Sequence, residues 1–274
     1  MVANLGEAQN KGFEVYLTSK VYNNPSQNSF VNLFASVASN QNKLIKVANA
    51  LKAKNEQSDN DLNSDASKTA LAIRYEEGAS MNAIWAVPSL GIDPETGKEV
   101  FVNKDGSKTY IWDSRNQVVA GDNLPKYSGN FGLNGEYHGL GFNTTFTWQH
   151  GGQLYNTTLL NKVENASLFY NVDKRVIENR WAKQGDVAQF KSIADESYTQ
   201  PTSRFVQDNN ILRLATLSVY YDFRNTSFVK KSKLERLRTT FYMNDVFTLS
   251  SINIERGTEY PYARTFMFSI QASF

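Results

Sequence analysis

Cysteine is absent from the 274-residue chain, which rules out a disulfide framework or a thiolate metal site and leaves the redox compartment open. Proline is scarce, with 6 residues, and the charges nearly cancel at a net +2, so nothing electrostatic selects nucleic acid as a partner. Long hydrophobic runs are missing too: no stretch approaches the roughly 18 apolar residues of a membrane helix, and mean hydropathy is -0.48. This excludes helical spans but not a membrane barrel, whose strands carry apolar residues only at alternate positions. The opening segment, MVANLGEAQNKGFE, lacks the basic and apolar stretches of a signal peptide. A secreted or membrane reading therefore expects further chain ahead of it.

What the chain has in abundance is aromatic, with 14 Tyr and 17 Phe, set among many Asn and Ser; that mixture suits strands joined by long polar loops. Period-two alternation marks seven strands. In the first, Phe13, Val15, Leu17 and Val21 oppose Glu14, Tyr16, Thr18 and Lys20. The second carries Val31, Leu33, Ala35 and Val37 on one side, with Phe30 and Phe34 blurring the contrast. Residues 127–137 and 140–150 form a hairpin around His138-Gly139, with Phe131, Leu133, Tyr137, Leu140, Phe142, Phe146 and Trp148 on a shared face. Behind them lie Asn143, Thr145, Thr147 and Gln149. The fifth run places Ala215, Leu217, Val219, Tyr221 and Phe223 together, and the sixth Leu237, Thr239, Phe241 and Met243. The seventh sets Phe266, Phe268, Ile270, Ala272 and Phe274 against Thr265, Met267, Ser269, Gln271 and Ser273.

These runs match the roughly 9 to 11 residues with which a tilted strand crosses a bilayer, although alternation alone fits a large soluble sandwich equally well. Loop lengths separate the two. Short turns at 23–28, 138–139 and 225–233 alternate with long connections at 41–124, 151–208 and 247–261, as tight periplasmic turns and extended outer loops would. On this reading Phe13, Val15, Leu17, Phe142, Phe146, Trp148, Leu217, Val219, Phe241, Phe266, Phe268 and Ile270 face lipid, and Phe274 ends on the periplasmic side. Seven is an odd number and leaves two open edges, so upstream strands are expected. Within the long loops, Leu44, Val47, Ala48 and Leu51, and again Val172, Val176 and Ile177, have helical spacing. Turn sequences at 93–97 and 104–107, set around residues 100–102 and 110–112, predict a small hairpin of those two arms.

Catalytic chemistry finds little to stand on. His138 and His150 lie at opposite ends of one strand, about 40 Å apart at roughly 3.3 Å per residue, and no nucleophile elbow is present. Glu76-Glu77 reads as a solvated loop pair, and Lys230, Lys231, Lys233, Arg236 and Arg238 as a solvated turn. Trp112 and Trp181 could stack on a sugar or pack the loops together. No enzyme activity, metal or cofactor is expected.

A family resemblance enters through a succession of segments: NKGFEV (10–15), EEGASMNAIWAV (76–87), GIDPETGKEVF (91–101), GDNLPKYSGNFG (121–132), GGQLYN (151–156), ENRW with GD (178–186), TSRFVQDNNILRL (202–214) and ERGTEYPYARTF (255–266). Their order resembles the C-terminal barrel of SusC/RagA-family TonB-linked outer-membrane receptors, across nearly the whole chain. The resemblance implies an all-β fold: a partial transmembrane antiparallel β-barrel, about the last seven strands of a 22-stranded one, with long, partly helical extracellular loops. Residues 1–274 would be one segment of that barrel domain, without plug domain or signal peptide. The implied function is outer-membrane import of glycans or peptides, with a SusD-like surface lipoprotein, the TonB complex (through the missing N-terminal part) and outer-membrane lipid as partners. Phe274 would be the terminal aromatic read by the barrel-assembly machinery. A surface-binding or adhesive barrel, or a non-functional barrel fragment, is the alternative.

Overall fold

The computed structural model describes residues 6–167, 169, 172–252 and 264–274. Its strands in chain order are β1 (Gly6–Asn24), β2 (Ser29–Val47), β3 (Ala83–Ala86), β4 (Ser89–Ile92), β5 (Glu99–Val102), β6 (Lys108–Thr109), β7 (Val118–Asp122), β8 (Tyr127–Tyr137), β9 (Leu140–Tyr155), β10 (Val206–Asp222), β11 (Arg236–Ser250) and β12 (Phe266–Ser273). Two helices, α1 (Asn49–Ser64) and α2 (Ser227–Lys231), accompany them. The chain divides into two compact units: residues 12–40, 125–151 and 209–274 form one, and residues up to 11, 41–124 and 152–208 the other.

The first unit is built on a seven-stranded sheet in the order β1-β2-β8-β9-β10-β11-β12. Each long strand pairs with the next long strand along the chain, which is a meander. Residues 138–139 close the β8–β9 hairpin with φ 49° at His138 and 90° at Gly139, the two left-handed positions of a type I′ turn whose twist matches that of the strands. Tyr137 pairs with Leu140 directly across it. Fully buried apolar side chains are few in this unit: among the described residues only Leu214, Val229 and Ile252 qualify. The sheet therefore has no hydrophobic core of its own.

The second unit does have one. Ile84, Tyr155, Leu159, Leu160, Val163, Phe190 and Phe205 pack together, with Leu71 and Val206 against them. Around this core stand the two-stranded β3–β7 sheet and the three-stranded β4-β5-β6 sheet. The expected hairpin is there with its first arm in β5, but its second arm is β6 at Lys108–Thr109, ahead of residues 110–112; β5 also pairs β4.

Three expectations need correction. Leu44 and Val47 are not helical: they end β2, where Leu44 exchanges backbone hydrogen bonds with Gly78 and Ala79 and the Val47 N–H donates to Glu77 Oε1. The helix starts only at Asn49 and is held by polar contacts. Asn55 bonds both backbone groups of Tyr75, and Asp59 accepts two hydrogen bonds from Arg74. The spacing of Val176 and Ile177 gives a 3-10 turn, Lys174–Ile177, rather than an α-helix. Finally, the sixth strand does not give way to a long connection at residue 247. A bulge at Asp245, φ 48°, shifts the register between Leu214 and Thr216 and lets β11 continue to Ser250. Most of the third long connection, residues 253–263, lies outside the described residues, as do residues 1–5.

The tight β8–β9 turn yields a direct test. A Cβ on Gly139 would lie 2.6 Å from the Asp222 carbonyl oxygen, at a φ that disfavours side chains. Gly139→Val should cost more than about 1 kcal/mol in urea unfolding, and His138→Asn should be neutral or stabilising, since Asn-Gly suits this turn. Equal unfolding midpoints for Gly139→Val and wild type would show that the turn geometry is wrong.

Candidate functional site

Because residues paired across a sheet share a face, the registers assign the side chains of the first unit. Leu33, Leu133 and Thr144 form one row, and Ala35, Phe131 and Phe146 the next, with Phe142 opposite Gly135 and Trp148 opposite Gly129. On the outer strands Leu217, Met243 and Phe266 align, then Val219, Phe241 and Phe268, then Tyr221, Thr239 and Ile270. Rings meet within and between these rows: Phe131 stacks on Phe146 in one row with centroids 4.9 Å apart, and Phe241 on Phe266 of the adjacent row at 6.2 Å. A shallow hollow of about 480 Å³ is lined by Leu17, Leu33, Ala35, Phe131, Leu133 and Phe146 among others. Leu17 of β1 therefore joins the same face.

Every residue assigned to lipid from the sequence falls on this apolar surface or on the edge strand β1. Phe13, Val15, Leu17, Val219, Phe241, Phe266, Phe268 and Ile270 are exposed, Leu17 to 67% and Phe268 to 64%. Phe142, Phe146, Trp148 and Leu217 are half-buried among their neighbours. Phe274 follows β12 and is 86% exposed.

The reverse face is built from different chemistry. Asn32, Asn134 and Asn143 form one row, and the Asn32 amide donates to Asn134 Oδ1 at 2.9 Å. Tyr220 reaches over Gly141, where even a Cβ would overlap its ring, and its hydroxyl donates to Glu136 Oε2 at 2.7 Å. Arg238 lies over the Tyr220 ring at 4.1 Å. The nearly buried Asp222 carboxylate takes Arg236 at 2.7 Å, Arg238 at 3.3 Å and Arg224 at 3.4 Å. Phe34, which blurred the sequence pattern, lies on this reverse face with its ring over Gly132. At the bulge, Arg213 faces Asp245 at 3.5 Å, so the guanidinium in an otherwise apolar alternation has a counter-charge.

These polar partnerships were not read from the sequence, because their members lie far apart in the chain. The same is true in the second unit, where Arg204 bridges Glu99 at 2.8 Å and Glu164 at 2.7 Å, all three nearly or fully buried. Burial disfavours the Arg204 charge, but the two carboxylates outweigh it and hold the guanidinium above its usual range. Lys191 moves the other way: burial lowers it, and Asp195 offsets only part. Trp112 and Trp181 donate their indole N–H groups to Pro201 and Pro94 carbonyls, which favours loop packing over a free stacking surface. Glu76 pairs with Arg74, so the Glu76-Glu77 pair is structural. His150 pairs with Tyr127 and His138 sits in the turn, at opposite ends of β9.

The first unit is thus a long meander with one apolar and one hydrogen-bonded face. No protein-family model matches the chain. The sequence is 24% identical over its full length to TonB-dependent receptor P3 of Formosa agariphila, of which the match covers 29%, and 21% identical over 57% of the chain to TonB-dependent receptor P39 of the same organism. Among solved structures, the RagAB peptide transporter superposes on 99% of the chain with a TM-score of 0.74 and 17% identity, and the RagAB peptide importer in its closed-closed state with 0.73 and 18%. The match spans 30% of those transporter chains. The likeness to TonB-dependent receptors thus runs along the whole chain in sequence and the likeness to the RagAB transporter along nearly all of it in fold, and these relatives are named as receptors and transporters.

The buried Arg204 pair predicts a large, specific penalty. Arg204→Ala leaves two buried carboxylates facing each other and should cost about 3–5 kcal/mol in urea unfolding followed by tryptophan fluorescence. A loss below about 1 kcal/mol would mean that the carboxylates are solvated.

Proposed function

We propose that this chain forms part of the wall and outer loops of an outer-membrane TonB-dependent importer. The observation that carries this reading is the apolar face of a seven-stranded sheet that has no core, with Phe13, Leu17, Val219, Phe241, Phe268 and Ile270 all open to their surroundings. An uncovered apolar surface of that extent in water would be an aggregation site, whereas in hydrocarbon it is the natural partner of lipid chains. The reverse face, with its Asn row, Glu136–Tyr220 pair and Asp222 cluster, suits an aqueous lumen.

In this reading the three short turns lie at the periplasmic end and the long connections at the extracellular one. Phe274 then ends the last strand in the periplasm, available to the assembly machinery. Gating and energy coupling through TonB belong to parts of the receptor beyond this chain, which spans under a third of its relatives. A SusD-like lipoprotein is the expected surface partner. The solved relative is named a peptide transporter, which makes peptides the first substrate to try and glycan oligosaccharides the second.

The test compares charges on the two faces. Phe241→Arg, near mid-depth on the apolar face, should cost about 2–4 kcal/mol of barrel stability and abolish heat-modifiable migration of the membrane-extracted protein. Thr240→Arg, on the opposite face, should leave migration intact. Equal tolerance of both, or recovery of the wild type in the soluble fraction, would end the barrel reading.

A further inference from the structure

The three short connections of the sheet differ sharply in charge. The β1–β2 turn, Asn24-Pro25-Ser26-Gln27-Asn28, has none, and the β8–β9 turn is His138-Gly139. The β10–β11 connection, residues 223–235, carries Arg224, Lys230, Lys231 and Lys233 against a single acidic residue, Glu235 at its end.

The structure sorts that cluster into two groups. Arg236 and Arg238, read with it in the sequence, turn to the nearly buried Asp222, as does Arg224. Lys230, Lys231 and Lys233 are exposed and enter no ion pair among the described residues. They are held in place rather than trailing. Thr226 caps α2 by accepting from Val229 N, Ser232 Oγ donates to the Val229 carbonyl, and the Val229 side chain is buried beneath the turn. Beside the lysines Phe228 projects outward, 65% exposed.

The turn also has a defined level relative to the apolar face. Tyr221, one residue before Asp222, is on that face in the row of Thr239 and Ile270, and its ring meets Phe223 edge-on at 4.6 Å. Tyr137 occupies the same end of the neighbouring hairpin and is exposed. From Leu140, paired with Tyr137, to Trp148 the apolar face runs eight residues, or about 26 Å at roughly 3.3 Å per residue. At a tilt of roughly 40° that length gives about 20 Å of height, most of a barrel's apolar band of about 25 Å, with aromatic residues at its margins. Lys230, Lys231, Lys233 and Phe228 lie just past the Tyr221 margin, where phospholipid phosphates would be.

We infer that the β10–β11 turn is a docking site for anionic phospholipid, in which Lys230, Lys231 and Lys233 contact headgroup phosphates and Phe228 inserts among the acyl chains at the boundary. The pairing of cations with an exposed ring is what such a boundary selects. The inference rests on the membrane reading of the apolar face and adds a lipid preference at one turn.

The experiment is native mass spectrometry of the membrane protein extracted in mild detergent and supplied with phosphatidylglycerol or phosphatidylcholine. Wild type should retain phosphatidylglycerol roughly tenfold or more over phosphatidylcholine, a preference that weakens as salt rises. K230Q/K231Q/K233Q should lose the preference, and K230R/K231R/K233R should keep it, which guards against a merely misfolded glutamine variant. K104Q/K108Q, in the second unit, should behave as wild type, and inorganic phosphate should not displace the lipid. Equal retention of both lipids by wild type, undiminished preference in the glutamine variant, or binding to peptidoglycan without lipid would overturn the inference while leaving the barrel intact. Loss of heat-modifiable migration in wild type would instead point to failure of the membrane reading.

Discussion

A sheet that exposes Phe13, Leu17, Phe266, Phe268 and Ile270, with no second layer over them among the described residues, presents apolar surface that no contact among those residues covers. At about 25 cal/mol per Å² of apolar surface, several uncovered large side chains amount to many kcal/mol, comparable to the whole stability of an ordinary domain. Removing that surface from water is the constraint on which the rest depends. It sets the alternation of every long strand, permits a unit without a core, and confines polar chemistry to the other face. The backbone obeys the same demand, since each strand of the meander except the outermost two satisfies its hydrogen bonds on both sides.

The two units solve stability differently. The loop-rich unit buries Leu160, Val163, Val176 and Phe205 almost completely, and ties its segments with the Arg204 bridge to Glu99 and Glu164. Such a bridge joins residues more than a hundred positions apart along the chain and fixes which loop meets which. Its net energy is small compared with the penalty for breaking it, so its contribution is one of arrangement. The sheet unit is ordered by pairing and by cross-strand contacts: ring on ring on one face, amide to amide and carboxylate to guanidinium on the other.

Much of the sheet was legible in the sequence because the signal is local. Alternation over Phe142, Phe146 and Trp148, and the agreement of Tyr137 with Leu140 across His138-Gly139, need only neighbours and a turn rule. Legibility failed where the period breaks or where polar contacts take over from apolar ones. The bulge at Asp245 hid the continuation of β11, since beyond it the pairing of Leu214 with Phe247 follows a new register. The helical spacing from Leu44 to Leu51 placed α1 too early, because Leu44 and Val47 belong to β2 and the buried residues of the helix are Asn55, Asp59 and Leu62, only one of them apolar. The Asp222 and Arg204 clusters left no trace, for nothing in a one-dimensional pattern says that distant charges meet.

The absence of cysteine makes the central claim directly measurable, because single cysteines can be introduced at 239, 240, 241, 242 and 243 and spin-labelled one at a time in the bilayer-reconstituted protein. Collision with oxygen, which concentrates in hydrocarbon, should be high at 239, 241 and 243, and collision with a water-soluble nickel chelate high at 240 and 242. An account with lipid on one side and water on the other requires that two-residue alternation. Labels at 239, 241 and 243 that meet neither reagent, being enclosed by protein, would contradict it.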